Sequence, residues 1–474
     1  MTADSKRRHR RTVSGAIVAL VMLMVAVAAT IVGVSTLRTS EVGQAVGRDD
    51  RVRVAFPSTP VAALAVVDGE NRLTSLAMAV LDPAGRGGSI VTIPVNVDTS
   101  IGLGETRTPL SSRPFDPTDP TAADALTSAL ESTIALTIDR AVILTEEALV
   151  DLIGPHAPVE VDLPDAVISG ETQDEVAEPG VQDLDAEEMA ELFTTIDIAG
   201  VAYDHHPVDV ALWSGLADAV TATPLDAEVP LDDAGRPIEP TSGDELLDRL
   251  VSGPVNVRDL AIVRSGMDEL ANADDSDFVL LDRSDALLVF AEIAPSLVST
   301  PNESLSFQII APFTDEQLAS MGEDVTTAEL VRDLIGELVF AQGNVVSVQT
   351  AASSDGAMEE TVLQVTEAAD IEPVEAVAPV LFGDVDVVEA TRVVEGVDVV
   401  AVLGTDFLVR RAEIRDEQAA TDDTATDATQ DGATQDDATQ DDASDGPGDT
   451  TSDADASESD DESDATSDTV ASDE

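Results

Sequence analysis

Three short apolar runs separated by polar turns limit the fold of this chain more than any other feature of its sequence. The runs cover residues 61–67, 76–81 and 89–93, and the turns between them contain Asp, Gly, Asn and Pro. Apolar runs of this length with β-branched residues are typical of buried strands, and Gly and Pro mark the turns between strands. Their spacing predicts a three-stranded meander that opens a mixed sheet.

Strands and helices alternate after this meander. Helical spacing of apolar residues predicts helices at 122–136 and 146–153, and apolar runs predict strands at 140–144 and 159–161. This alternation is typical of an α/β layered domain. The sequence therefore predicts an α/β fold in which a mixed-sheet layered domain covers residues 55–300.

The same patterns continue toward the end of the chain. Within the first domain they predict helices at 183–192, 208–220 and 244–250, and strands at 278–281 and 286–290. A second, smaller α/β domain is predicted at 305–411. Its predicted strands are 305–311, 344–349 and 399–403, and its predicted helices are 314–321 and 327–338.

The beginning of the chain has the pattern of a membrane anchor. A basic segment, residues 1–12, precedes 25 uncharged residues at 13–37. At about 1.5 Å per residue such a helix spans a bilayer of about 30 Å, and the basic side stays in the cytoplasm. The sequence predicts one transmembrane helix in the plasma membrane, a linker at 38–54 and an extracytoplasmic body. A cleaved signal peptide is the alternative, since Ala26 and Ala28 fit a cleavage pattern.

Composition excludes several classes of function. Cysteine is absent and Lys6 is the only lysine, so the exported part has no thiolate nucleophile and no P-loop or Schiff-base lysine. The net charge is −70, from 94 acidic and 24 basic residues, and it argues against nucleic acid as a partner. Residues 416–474 form an acidic, low-complexity tail that is predicted to be disordered.

A polar turn after the third predicted strand is a candidate site. Pro94 ends the strand, and Asn96, Asp98 and Thr99 follow it. Open α/β sheets bind ligands at the carboxyl ends of their strands. Asp98 and Asn96 therefore form a candidate site for a divalent cation such as Mg²⁺, which prefers oxygen ligands. The alternative is that these side chains bond the backbone of their own turn.

A second polar cluster precedes the helix predicted at 208–220. Asp204, His205, His206 and Asp209 could ligate Zn²⁺ or another metal. Adjacent histidines usually point apart, so a structural role for these side chains is the alternative.

Three segments resemble the LytR-CpsA-Psr family of envelope proteins. They read VLDPAGRGGSIVTIPVNVD, ALTSALESTIALTIDRAVILTEEALVDLIGPHAPVEVDLP and, near the end, VLGTDFL. The first two resemble the family's strand–turn and helix–strand–helix segments, and the third resembles the C-terminal domain often attached to it. The resemblance implies a membrane-anchored α/β domain that acts on glycopolymers linked to a polyprenyl-pyrophosphate carrier.

The resemblance also implies arginines that bind the pyrophosphate. Arg72, Arg107 and Arg113 are the candidates, because arginine forks onto phosphate oxygens. Val95 stands where the family has an arginine, and the segment before Trp213 lacks the others. We therefore expect a non-catalytic scaffold or regulator of envelope glycopolymer assembly, with a polyprenyl lipid or a glycopolymer as partner. An active glycopolymer phosphotransferase is the alternative.

Overall fold

A computed structural model of the chain defines its fold. It describes residues 51–99, 108–134, 136–170, 172–196, 205–263, 278–295, 297–298, 305–319, 325–350, 358–383 and 385–414. These residues all belong to one compact unit.

The described strands, in chain order, are β1 Val52–Val54, β2 Val61–Val67, β3 Leu73–Leu81, β4 Gly88–Thr92, β5 Arg140–Leu144, β6 Val159–Leu163, β7 Val167–Ile168, β8 Glu175–Ala177, β9 Gly180–Leu184, β10 Val255–Asp259, β11 Ser306–Ile310, β12 Asn344–Gln349, β13 Val362–Val365, β14 Asp386–Glu389, β15 Arg392–Val394 and β16 Val399–Val402. The described helices are α1 Pro120–Ile134, α2 Glu146–Ile153, α3 Ala186–Thr194, α4 His206–Ala222, α5 Gly243–Leu250, α6 Arg283–Ile293, α7 Asp315–Ala319, α8 Thr327–Phe340 and α9 Ile371–Leu381.

The first sheet has five strands in the order β10-β4-β3-β2-β5. Strand β3 runs antiparallel to both of its neighbours, β2 and β4, and β10 and β5 add in parallel to β4 and β2. This arrangement confirms the predicted meander and the mixed α/β class. Parallel pairing also brings the carboxyl ends of β4 and β10 to the same edge of the sheet.

Both faces of the first sheet are covered by helices. Along β2, Ala62, Leu64 and Val66 join a core with α2, α3, α4 and α5, whereas Ala63 and Ala65 face a core with α1 and α6. Successive side chains of a strand point to opposite faces, so an unbroken apolar run is what a strand with two covered faces requires.

The second sheet has the order β12-β11-β16-β13-β14 and is also mixed. Helices α6, α8 and α9 pack on one face. On the other face is a small cluster of Val346, Val394, Val397 and Val400. Three two-stranded pairs complete the described strands: β6 with β9, β7 with β8, and β1 with β15.

Most predicted helices and strands are confirmed within a few residues. The prediction for 286–290 is wrong, because these residues lie in α6 rather than in a strand. The prediction for 278–281 is also wrong, since Val279 and Leu281 form only isolated bridges. The helix predicted at 183–192 begins later, at Ala186, because residues 180–184 pair with β6.

Two predicted segments lie outside the described residues: the apolar run at 13–37 and the tail at 416–474. Within the part of the chain that the structure describes, no helix is both long enough and apolar enough to cross a membrane. The boundary between domains predicted at 300–305 stays a prediction.

Candidate functional site

The candidate site lies at the edge of the first sheet where β4 and β10 end. Thr92, the last residue of β4, pairs in register with Asp259, the last residue of β10. The Thr92 hydroxyl donates to Asp259 Oδ1 at 2.9 Å, and its oxygen lies 3.2 Å from the carbonyl oxygen of Arg258. The strand pairing therefore fixes one Asp259 oxygen at the carboxyl end of the sheet.

A histidine contacts the same carboxylate oxygen. His206 Nε2 lies 2.7 Å from Asp259 Oδ1, and His206 is the first residue of α4. The imidazole is buried, whereas the Asp259 side chain is 48% exposed. The N-terminus of a helix favours a nearby anion, so α4 stabilises the Asp259 carboxylate by its direction as well as through His206.

A second carboxyl group is buried one turn further along α4. Burial raises the pKa of Asp209 well above its usual value, although a hydrogen bond with the Ser75 side chain acts in the opposite direction. The Ser75 hydroxyl also accepts from Trp213 Nε1 at 3.2 Å. His205 Nε2 is 3.7 Å from Asp209 Oδ1, which is too long for a hydrogen bond. A neutral carboxyl group fits this apolar position.

The chemistry open to these groups is limited by their burial. The Thr92 side chain is fully buried, so a substrate cannot reach its hydroxyl as a nucleophile. The exposed group is the Asp259 carboxylate, whose Oδ1 is held by both the Thr92 hydroxyl and the His206 imidazole. Such an acceptor binds a cation, an amine or a hydroxyl group, and it repels an anion.

The turn after β4 holds the two predicted cation ligands. Asp98 N donates to Val279 O at 3.0 Å, and Val279 N donates to Asn96 O at 3.1 Å. Both side chains are buried. Asp98 Oδ1 accepts from the backbone N–H of Thr108 at 3.4 Å, a residue ten positions along the chain and outside its own turn. Their role as cation ligands stays a prediction.

Asn96 Oδ1 has a different environment from the Asp98 carboxylate. It is buried and accepts no hydrogen bond from the residues that the structure describes. Among those residues, no three His, Asp or Glu side chains are arranged to hold a metal ion. The His205, His206 and Asp209 positions therefore do not form a three-ligand cluster, and Asp204 lies outside the described residues.

Two of the three predicted pyrophosphate ligands can be located. The backbone of Arg72 forms a bridge to Pro114, so Arg72 and Arg113 come from adjacent segments at the edge where β4 ends. Arg72 Nε lies 2.6 Å from Asp68 Oδ2, and its Nη1 lies 3.4 Å from Glu70 Oε2. Arg113 is exposed, and Arg107 lies outside the described residues.

The pairing of Arg72 with Asp68 repeats at a second place in the chain. In the turn that ends at Arg72, the backbone N–H and Nε of the arginine both donate to Asp68, at 2.8 and 2.6 Å. Arg236 makes the same two bonds to Asp232, both at 2.9 Å. The residue before each arginine has a positive φ, 62° for Asn71 and 77° for Gly235. An Asp-x-x-x-Arg turn therefore accounts for the Arg72 geometry without a ligand.

Sequence reasoning missed Thr92 and Asp259 as site residues. The signal for Asp259 is the alternation of Val255 and Val257 with polar residues, which is a short strand pattern ending at a carboxylate. Which strand stands next to β4 depends on long-range pairing, so the sequence alone gave no reason to place Asp259 beside Thr92.

No family model and no curated protein matches this chain. Solved structures similar to it include TagV from B. subtilis, at 14% identity over 52% of this chain and 100% of TagV, with a TM-score of 0.35. A LytR-Csp2A-Psr enzyme from Actinomyces oris is 15% identical over 48% of this chain and 91% of that enzyme, with a TM-score of 0.31. A structure of TagT bound to LIIa-WTA is 14% identical over 49% and 88% of the two chains, with a TM-score of 0.33.

These similar structures are LytR-CpsA-Psr proteins. Identities of 14% or 15% and TM-scores between 0.31 and 0.35 assign neither an activity nor a site residue to this chain.

Proposed function

We propose that this protein is an envelope protein of the LytR-CpsA-Psr type that acts as a scaffold or regulator of glycopolymer assembly and does not transfer glycopolymers itself. The observation that carries the proposal is the chemistry of the carboxyl edge of the first sheet. The hydrogen-bonded side chains of Thr92, Asp259 and His206 present a carboxylate there.

Electrostatics argue against a diphosphate at this edge. Two unit charges of the same sign 4 Å apart repel by about 1 kcal/mol in water and about 4 kcal/mol near a protein surface. A diphosphate beside Asp259 meets this repulsion from each nearby oxygen. Compensating cations are needed, and a buried charge without one costs several kcal/mol.

Two described arginines at this edge, Arg72 and Arg258, are engaged by carboxylates, whereas Arg113 is exposed. Arg72 is bound to Asp68 and Glu70, and Arg258 Nη1 lies 2.5 Å from Glu292 Oε2. Such partly exposed pairs contribute about 0–1 kcal/mol each, so a ligand can break them at little cost. The released carboxylates then remain beside the diphosphate, which weakens its binding.

Location and anchoring form part of the proposal. Residues 13–37 span the plasma membrane once, and the body lies outside the cell, because the basic residues at 1–12 stay in the cytoplasm. Protease added to intact cells should digest the chain after Arg38. A body that stays protected until the cells are lysed contradicts this topology.

A transfer assay tests the absence of catalysis. The full chain in bilayer nanodiscs is incubated with a carrier-linked glycan, peptidoglycan and Mg²⁺, beside a family member that has the complete arginine set. We expect no transfer above that of empty nanodiscs, while the family member transfers. Transfer at a rate comparable to the family member would overturn the proposal and favour the active phosphotransferase.

Arginine variants identify the source of any transfer that is found. Arg72→Ala should lower it if Arg72 binds the carrier, whereas Arg236→Ala removes an arginine from the same type of turn elsewhere in the chain. Equal transfer by the two variants assigns Arg72 to the turn alone.

A further inference from the structure

The second sheet contains a cavity that the proposed function does not use. It lies between the sheet and the helices α6, α8 and α9, and its volume is about 680 Å³. Pockets that bind small molecules have volumes of about 300–1,000 Å³ and mostly apolar walls. The cavity wall includes Leu287, Phe307, Leu338, Val345, Ala378 and Phe382.

The polar part of the lining is confined to a few groups. Arg283, Gln342 and Asn344 are the lining residues with polar side chains, and Arg283 and Gln342 are exposed, which places them at the mouth. No carboxylate lines the cavity, although 94 of the 474 residues of the chain are acidic. The cavity therefore combines an apolar interior with a single arginine at its mouth.

Arg283 occupies a position that helix stability disfavours. It is the first residue of α6, directly after the capping residue Asp282. The N-terminus of a helix carries a partial positive charge and favours anions over cations. Asp282 already caps this end by accepting from the backbone N–H groups of Ser284 and Asp285, so an anion bound at the mouth would pair with the Arg283 guanidinium group rather than with the helix end.

We propose that this cavity binds a single-chain amphiphile with an anionic head, such as a fatty acid, independently of the proposed function. The acyl chain lies between α8 and α9 against the sheet, and Arg283 binds the head. An acyl chain suits the cavity because burying each CH₂ group in an apolar site is favourable, while the walls offer few hydrogen bonds.

Photolabelling tests this proposal. The full chain in nanodiscs of zwitterionic phosphatidylcholine is irradiated with a diazirine-bearing palmitic acid, and the labelled peptides are mapped by mass spectrometry. We expect labels within residues 334–345 and 371–383, and at least a fivefold loss of these labels with excess unlabelled palmitate. Labels confined to residues 13–37, or labels that palmitate does not remove, overturn the proposal.

Matched variants test the position of the acyl chain. Ala378→Phe fills the cavity, whereas Ala376→Phe adds the same ring to an exposed position of the same helix. We expect at least a fivefold loss of cavity labels in the first variant and less than a twofold change in the second. Equal labelling of both, when circular dichroism shows both folded, overturns the proposal. If Ala378→Phe fails to fold, the proposal is decided by the positions of the labels in the unchanged protein and by their loss with excess palmitate.

The head group is tested by comparing an acid with its ester. Palmitate should compete at least five times better than methyl palmitate. Arg283→Gln should reduce this preference below twofold, and Arg392→Gln, which changes an exposed arginine on β15, should leave it unchanged. Equal competition by acid and ester in the unchanged protein overturns the anionic head. A cavity that stays unlabelled at every concentration overturns the whole proposal.

Discussion

The two five-stranded sheets of this molecule differ in how completely helices cover them. The first sheet has helices on both faces, and its central strands β2 and β3 are buried along their whole length. The second sheet has helices on one face, and that cover encloses a cavity of about 680 Å³. Small side chains are one feature of the first sheet, since β2 carries alanine on both faces, Ala62 on one and Ala63 and Ala65 on the other.

Helix α9 is the weaker part of the cover on the second sheet. Its buried side chains are Val374, Ala378 and Leu381, and Pro379 within the helix removes one backbone hydrogen bond. By contrast, α4 has nine buried residues, including Trp213, and packs against β6 as well as the first sheet. We infer that completeness of packing separates the two regions: the densely packed sheet fixes polar groups at its edge, and the loosely covered sheet leaves space for an apolar ligand.

The largest expected effect concerns aromatic side chains in the two cores. Trp213→Ala removes a fully buried ring that lies 4.9 Å from the Phe193 ring, and we expect it to lower the free energy of unfolding by about 3–5 kcal/mol. Phe382→Ala removes a ring from the cavity wall, where part of its surface lacks contacts, so we expect a loss below about 3 kcal/mol.

Urea denaturation followed by circular dichroism measures both losses, and hydrogen exchange assigns them to the two regions. An equal or larger loss for Phe382→Ala would contradict the difference in packing between the two sheets.

The sequence predicted the strands of the first sheet better than the elements next to that sheet, for a physical reason. Strands with two covered faces require apolar runs bounded by turns, and residues 61–67 and 89–93 have that pattern. The same reasoning failed for 286–290, because the middle of α6, residues 286–291, is apolar and buried toward both sheets. A continuous apolar run does not distinguish a buried strand from a helix that is buried all round.

The candidate site was predicted only in part. The turn with Asn96 and Asp98 follows from its own sequence, since Pro94 ends a strand there. Asp259 is separated from Thr92 by more than a hundred residues, and their pairing depends on β10 adding to the sheet beside β4. Without knowledge of this strand order, no local pattern places the two side chains together.

The second effect concerns pH and Asp209, the buried carboxyl group of the densely packed region. Burial raises its pKa in the folded protein, so the unfolded chain loses this proton at a lower pH than the folded protein does. Below its usual pKa of 3.8, the Asp209 carboxyl group is protonated in both the folded and the unfolded state and does not change the free energy of unfolding. As the pH rises from 3.8 toward the pKa of the folded protein, the free energy of unfolding falls.

Asp209→Asn replaces the neutral carboxyl group with a neutral amide. We expect the variant to gain stability relative to the unchanged protein between pH 4 and pH 7, because the amide has no proton to lose. Urea denaturation at several pH values measures the difference in the free energy of unfolding between the two proteins. The contributions of the other titrating groups cancel in this difference. A difference that stays constant over this range would show that Asp209 does not titrate differently in the folded and unfolded states.

The smallest expected effect concerns the polar edge of the first sheet, where the hydrogen bond of a buried side chain contributes little to the free energy of unfolding. His206→Ala removes a buried imidazole, but its partner Asp259 is 48% exposed and can bind water instead. We therefore expect the hydrogen bond between them to contribute only about 0.5–1.5 kcal/mol. A double-mutant cycle with Asp259→Ala isolates this coupling from the packing that the imidazole also loses. Coupling above about 3 kcal/mol would assign the pair to the stability of the core rather than to an edge that orients an exposed carboxylate, and coupling near zero would mean that His206 does not orient Asp259.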